Sequence, residues 1–251
     1  MELSYHSLFE EMRRIYQMPR DMGRFHDYLA TMIDANEVDL AYPPLVLINP
    51  MAREHLLEYV ESLIAMGADE IVQAAIRECS AEVRDIPDSF SMSLVVMDDL
   101  KGGWTNRYSY ELNGRRMPNP RDLPPRQRAR FWVTGVLWSS EPPQAAAVRR
   151  AALQSIYRTY YVLKQGTART LREILRQDGW VMRKAGYEFP PLDAETRSRT
   201  REVLGLCGDC DDTGTLIECL FGAEAAKTLG YSGWGLAPWA GIALAIEDSP
   251  G

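Results

Sequence analysis

The chain is short of the residues and motifs that usually announce a mechanism. Its 251 residues include 3 histidines, and His6, His26 and His55 all fall in the N-terminal quarter. A His-rich metal site elsewhere in the chain is therefore excluded. Four cysteines are too few to frame a chain of this length with disulfides, so a reducing cytoplasm is the expected compartment. No GxxxxGK phosphate cradle, no dinucleotide-binding GxGxxG and no GxSxG nucleophile elbow occurs, which removes those enzyme classes in their usual sequence form. Arg53-Glu54-His55 carries half of a zinc-protease signature, but the second histidine is missing. No apolar run approaches the roughly 20 residues that cross a bilayer. The N-terminal MELSYHSLFEEMRR places acids where an export signal needs a basic start, so neither secretion nor a membrane is expected. Internal repeats and low-complexity tracts are absent as well.

What is present is an ordinary globular composition, 46% apolar and 25% charged. The formal net charge of −7 is unevenly distributed. Residues 1–114 hold 9 Lys and Arg against 20 Asp and Glu, residues 115–184 hold 15 against 4, and residues 185–251 hold 4 against 11. Arg115, Arg116, Arg121, Arg126, Arg128 and Arg130 make the densest basic run, and prolines rather than stacking aromatics interleave it. A nucleic-acid groove would need both phosphate contacts and stacking faces. The expectation is a solvated loop that pairs with the acidic N-terminal region, with no nucleic-acid partner.

Periodicity predicts helices over most of the chain. Leu8, Phe9, Met12, Ile15 and Tyr16 recur at helical spacing, as do Phe25, Tyr28, Leu29, Met32 and Ile33 beyond Pro19. AYPPLVLINP is irregular, with a short apolar centre suited to a small strand. Asn49-Pro50 reads as a helix start. Two helices follow, one with Leu56, Leu57, Val60, Leu63 and Ile64 on its stripe and one with Ile71, Val72, Ala75, Ile76, Cys79 and Val83, and Gly67 divides them. The period then changes. SMSLVVMDD, the alternating RYSYEL and the aromatic, β-branched FWVTGVLWSS predict three strands, the first two joined as an antiparallel hairpin. Ser140-Glu141-Pro142-Pro143 caps a long helix from about residue 142 to 164, Thr167 caps another, and Asp193 caps a further one. TLIECLFGAEAAKTLG is the last clear helix, with Asp209, Asp211 and Asp212 capping it. The order is α+β, mainly helical, with a small antiparallel sheet of about three strands inserted between helical segments. A single domain over 1–251 is expected. The alternative is a boundary near 190 with 191–251 as a small C-terminal helical subdomain.

Three places have chemistry to offer. DDLKGGWTNRYSYE follows the apolar SLVVM run, and loops at strand ends often carry function. Asp98 and Asp99 supply carboxylates for acid–base work. Lys101, Trp104, Asn106, Arg107 and Tyr108 would bind a ligand, with Arg107 as a planar clamp for a carboxylate or phosphate and Trp104 as a wall. Against this stands a plain connection whose acids cap and whose glycines turn. Second, Cys207-Gly-Asp-Cys210 with Cys219 has metal-knuckle or redox spacing, but a fourth ligand and a strand–helix setting are lacking. Buried apolar cysteines are the simpler reading, with no metal and no cofactor. Third, GYSGWGLAPWAGIALAIED gathers Trp234, Leu236, Trp239, Ile242, Leu244 and Ile246 in one weakly charged segment that must be covered. It either folds back on its own chain or builds a homodimer. The function expected is the binding of a small anionic or carboxylate ligand at the 98–108 loop. The alternative is a non-enzymatic interaction protein that uses its tail.

Overall fold

Two kinds of sheet and a majority of helix make up the chain. The structure is a computed structural model and describes residues 1–34, 39–100 and 105–249. In chain order the elements are β1 (Glu2–Tyr5), α1 (Phe9–Gln17), α2 (Met22–Met32), β2 (Ile33–Asp34), β3 (Asp39–Leu40), a 3-10 turn at Pro43–Leu47, α3 (Glu54–Ala65), α4 (Ala68–Val83) and β4 (Ser89–Met97). They continue with α5 (Arg107–Arg115), a second 3-10 turn at Pro120–Asp122, α6 (Pro125–Ala129), β5 (Trp132–Trp138), α7 (Ala145–Gln165), α8 (Leu171–Lys184), α9 (Ala194–Cys207), α10 (Thr213–Phe221), α11 (Ala223–Thr228) and α12 (Ala240–Asp248). The α+β, mainly helical class is therefore the observed one. No helix among the described residues is long and apolar enough to cross a membrane.

The chain packs as two compact units. One comprises Met1–Asn106 with Pro120–Tyr160, and the other Arg107–Asn119 with Tyr161–Gly251. The second unit takes a segment from the middle of the sequence, Arg107–Asn119.

In the first unit β4 is the central strand of the order β1-β4-β5. Its residues from Met92 to Met97 are buried almost without a break, except that Ser93 is polar. A strand covered on both faces carries such an unbroken apolar run. Both pairings are parallel: Glu2 lies opposite Ser89, and Ser91 to Met97 run beside Trp132 to Trp138. The expected antiparallel hairpin is thus corrected in sense and in membership. The third strand is Glu2–Tyr5, placed by its sequence position in a segment expected to be helical, and antiparallel pairing is confined to the two-residue strands β2 and β3. The apolar centre of AYPPLVLINP forms the first 3-10 turn rather than a strand, because Pro43 and Pro44 open it.

RYSYEL is helix α5, not a strand. Its alternation also satisfies a helical period, since Leu112 and Arg115 are buried on one face and Tyr108, one turn before Leu112, packs its ring on Phe221 at 5.4 Å. The charges agree with that period. Arg107 pairs with Glu111, and Glu111 with Arg115, each four residues apart.

Arg115 is the hub of the second unit. Its guanidinium is buried between Asp178, Glu111 and the face of Phe221, and Asp178 is fully buried. The two carboxylates hold the guanidinium charged against the burial that would otherwise neutralise it. Around this group α10, α8 and α9 enclose the tail. Leu236, Ala240, Ile242, Ala243 and Leu244 are buried within their own unit. The buried Glu218 accepts a hydrogen bond from the Leu236 N–H, and Phe221 accepts one from Trp239. Trp239 and Ile246 are partly buried, and Trp234 is 41% exposed.

The remaining differences are local. Thr170, not Thr167, caps α8, in a reciprocal arrangement with Glu173. Asp193 and Asp212 cap α9 and α10 as the sequence predicts. The arginine run is engaged within the chain: Arg121 pairs with Asp88 and Arg130 with Asp39. Two glycines let α12 enter its slot. A side chain at Gly179 would land on the Ala245 carbonyl, and one at Gly241 on the Cys219 carbonyl. Gly179→Ala and Gly241→Ala are each expected to lower stability by about 1–3 kcal/mol in urea unfolding, whereas Gly205→Ala, where an added methyl meets nothing, leaves it unchanged or slightly raised.

Candidate functional site

Parallel pairing brings the carboxyl ends of β4 and β5 to one edge. The last paired residues are Met97 and Trp138, and the Ser139 N–H donates to the Met97 carbonyl at 3.0 Å. The residues that follow, Asp98-Asp99 and Ser139-Ser140, therefore lie side by side. In the expected hairpin Asp98 would have stood at the turn, away from Ser139.

Asp98 is buried, with 4% of its surface exposed, and is surrounded by donors. Its Oδ1 lies 3.0 Å from His55 Nε2 and accepts from the Ser139 hydroxyl at 3.1 Å and the Leu100 N–H at 3.2 Å. Its Oδ2 accepts from Asn49 Nδ2 at 3.3 Å. Asp99 is bound to the neighbouring strand end. The Ser140 N–H and hydroxyl donate to its carboxylate at 2.9 and 2.6 Å, and its own N–H donates to Ser139 Oγ. The Ser139 hydroxyl lies 3.1 Å from one oxygen of each aspartate. A hydroxyl has one hydrogen, so Ser139 serves only one carboxylate at a time.

Asn49 was expected to cap a helix. The helix begins later, at Glu54, and Asn49 instead accepts from the Met51 N–H and donates to Asp98. Ser140 likewise bonds Asp99 rather than starting α7. His55 and Ser139 each bind Asp98 and do not bind one another, so the trio is not a serine-nucleophile relay, in which the histidine must contact the serine.

Two buried tyrosines lie nearby. Tyr16 lies close enough to Asp98 and Arg24 to feel both charges, and Tyr59 feels Asp99 and Glu141. Burial pushes both phenols above their ordinary range. The Tyr16 and Tyr59 hydroxyls have no hydrogen-bond partner among the described residues. Buried hydroxyls are seldom left so.

Of the residues expected from sequence, the structure joins Asp98 and Asp99. Lys101 and Trp104 lie outside the described residues. Asn106 is exposed at the end of the first unit's opening segment. Arg107 and Tyr108 belong to the second unit, where Arg107 pairs with Glu111 and lies 5.7 Å from the centre of the Trp239 ring. Asn49, His55, Ser139, Tyr16 and Tyr59 were not expected at the site. Periodicity assigned Tyr16 to a helix face, and no local motif links residues so far apart in sequence. The one available signal was the pair of polar dipeptides, Asp98-Asp99 and Ser139-Ser140, each closing an apolar strand.

The three C-terminal cysteines do meet, since the Cys207 thiol has those of Cys210 and Cys219 as hydrogen-bonding neighbours. All are free, and Cys207 and Cys219 are buried. Burial raises both thiols above the ordinary cysteine range, the opposite of what a thiolate nucleophile needs. Among the described residues no group of three or more His, Cys, Asp or Glu side chains is arranged to hold a metal ion. No protein-family model, no curated protein and no solved structure matches the chain.

Two outcomes follow from this geometry. Asp98→Ala leaves Asn49, His55 and Ser139 without their common acceptor and is expected to cost about 3 kcal/mol in urea unfolding, against about 1 kcal/mol for Ser139→Ala. Equal losses would mean that Asp98 is not the hub. In the native protein only the partly exposed Cys210 should react promptly with a chromogenic disulfide, and all 4 thiols should react after denaturation.

Proposed function

We propose that the protein binds a small polar molecule at the carboxyl edge of its parallel sheet, with the His55–Asp98 pair as the acid–base group that faces it. The observation that carries this reading is the buried Asp98 carboxylate holding an imidazole whose side chain is still 21% exposed. Crevices outside the carboxyl ends of parallel strands are where open sheets of this kind commonly take ligands.

The chemistry follows from the hydrogen bond. When Nε2–H donates to Asp98, the neutral ring carries its lone pair on Nδ1, which is then free to accept a proton. The carboxylate fixes the orientation of the ring. Asn49 and the Leu100 N–H hold Asp98 in place directly after β4, and His55 stands in the first turn of α3, so the pair is pre-positioned. Asp99 and the two serines add acceptors and hydroxyls suited to a ligand rich in hydroxyl or carboxyl groups. His55 thus takes the proton-accepting role that the sequence left to carboxylates alone.

A thermal-shift screen with carboxylates, polyols and phosphorylated metabolites tests the reading. A compound present at 100 times its Kd adds about 2.7 kcal/mol of stability, a shift of several degrees in a chain of this size. Such a compound is expected to raise the melting temperature of the wild type, with the shift reduced in both His55→Gln and Asp98→Asn. The reading fails if every active compound stabilises both variants as well as it stabilises the wild type.

A further inference from the structure

Arg24 stands apart from the buried Arg115. Arg115 is surrounded by two carboxylates, but Arg24, 4% exposed, has no ion pair among the described residues. Its Nε and Nη2 are both buried without a hydrogen-bond partner. These two atoms form one edge of the guanidinium, and their N–H bonds point the same way. That edge is the fork that receives two oxygens of a carboxylate or phosphoryl group. The face of the guanidinium is covered, because its central carbon lies 4.9 Å from the centre of the Tyr16 ring.

The surroundings raise the positive potential rather than cancel it. Arg24 is the third residue of α2, at the end of a helix whose dipole favours an anion over a cation. Arg20 adds a like charge. Asp21, the nearest acid in sequence, is turned to the backbone N–H groups of Gly23 and Arg24 as the cap of α2. Glu54 is close enough to be felt but forms no ion pair with Arg24. Burial, the largest influence, depresses the Arg24 pKa, so the protein holds this charge at a cost. The Tyr16 hydroxyl, also unpartnered, is close enough to feel both the Arg24 and the Asp98 charge. A buried charge without a partner is strongly unfavourable, and an anion that brings two oxygens to the unpartnered fork removes that penalty.

We propose that Arg24 is an oxyanion clamp: its Nε–Nη2 edge and the Tyr16 hydroxyl take a carboxylate or phosphoryl group of the ligand bound at the sheet edge. The proposal rests on the placement of the ligand site beside Asp98, and it names the substrate class as anionic. It moves the anion clamp that the sequence assigned to Arg107 onto a residue of α2.

The test uses the full chain and simple anions. Melting temperature is followed against inorganic phosphate, sulfate and acetate, each at constant ionic strength balanced with chloride, for the wild type, Arg24→Met and Arg24→Lys. Equilibrium dialysis with labelled phosphate gives a direct second readout. Phosphate and sulfate also stabilise proteins generally by exclusion from their surface, an effect that does not saturate and is common to all variants. The wild type is expected to show a saturable component on top of it and to bind phosphate or acetate at least tenfold more tightly than R24M. R24K should be weakened too, because an ammonium keeps the charge but loses the fork. A saturable response to acetate alone assigns the ligand group as a carboxylate, and one to phosphate and sulfate alone assigns it as a tetrahedral oxyanion. In chloride, R24M is expected to melt no lower than the wild type, since it removes an uncompensated charge. Absence of saturable binding in the wild type overturns the proposal, as does identical binding in R24M. A lower R24M melting point in chloride with unchanged anion response makes Arg24 a purely structural group. The two readings fail separately: His55→Gln leaves the phosphate response intact if only the clamp is right. Compounds lost in His55→Gln but kept in R24M would mark the site without the clamp.

Discussion

The parallel register of β4 and β5 is the constraint on which the candidate site depends. A parallel pair delivers both carboxyl ends to the same edge, so the residues after Met97 and Trp138 become neighbours even though 40 positions separate Asp99 from Ser139. Backbone hydrogen bonds in the sheet set the spacing, and the Ser139–Met97 bond extends the ladder one step beyond the strands. Two polar dipeptides then face each other with their side chains interlocked. An antiparallel pair of the same sequences would give each aspartate the start of a strand as its neighbour, and no such cluster would assemble.

Two buried arginines show how one residue type serves different ends. Arg115 is matched by Glu111 and Asp178 and closed over by Phe221, and around it the second unit covers its apolar tail. Burying such a group demands that each charge be answered, and here two carboxylates answer it. Arg24 has an aromatic face but no carboxylate and sits at the positive end of a helix. A fold that answers one buried guanidinium with two carboxylates, yet gives another none among the described residues, distributes its polar strain unevenly. Unanswered buried groups concentrate where proteins bind other molecules.

Much of the helical architecture was legible in the sequence, because it rests on local rules. Asp193 and Asp212 cap their helices, Gly67 takes a left-handed conformation between α3 and α4, and the Val72, Ala75, Cys79 and Val83 face is buried as its spacing predicts. The strands SMSLVVM and WVTGVLW are also visible as apolar runs. What was hidden is pairing. Strand sense and partner are set by contacts distant in sequence, and ELSY at the N-terminus carries no mark that it will lie beside Ser89 to Met92. RYSYEL shows the complementary ambiguity. A six-residue alternation of aromatic and polar groups satisfies both periods, and the i,i+4 charges of Arg107, Glu111 and Arg115 were the evidence for a helix.

The site was legible only in part for the same reason. Asp98 and Asp99 stood out because acids closing an apolar strand are conspicuous. Asn49 and His55 were visible too, but each had a local explanation, a helix cap for one and a broken metalloprotease motif for the other. Local explanations compete with distant ones, and sequence offers no energy scale on which to compare them. The structure supplies that scale through burial. A carboxylate at 4% exposure must collect its donors from whatever the fold brings near, and the donors it collects here are an amide, an imidazole, a hydroxyl and a backbone N–H from three separate parts of the first unit. A polar side chain is better explained by the buried charge it answers than by the turn it precedes. By that criterion Asn49 and His55 belong to Asp98, and Arg24, which has no ion pair among the described residues, is the group that the proposed anion would answer.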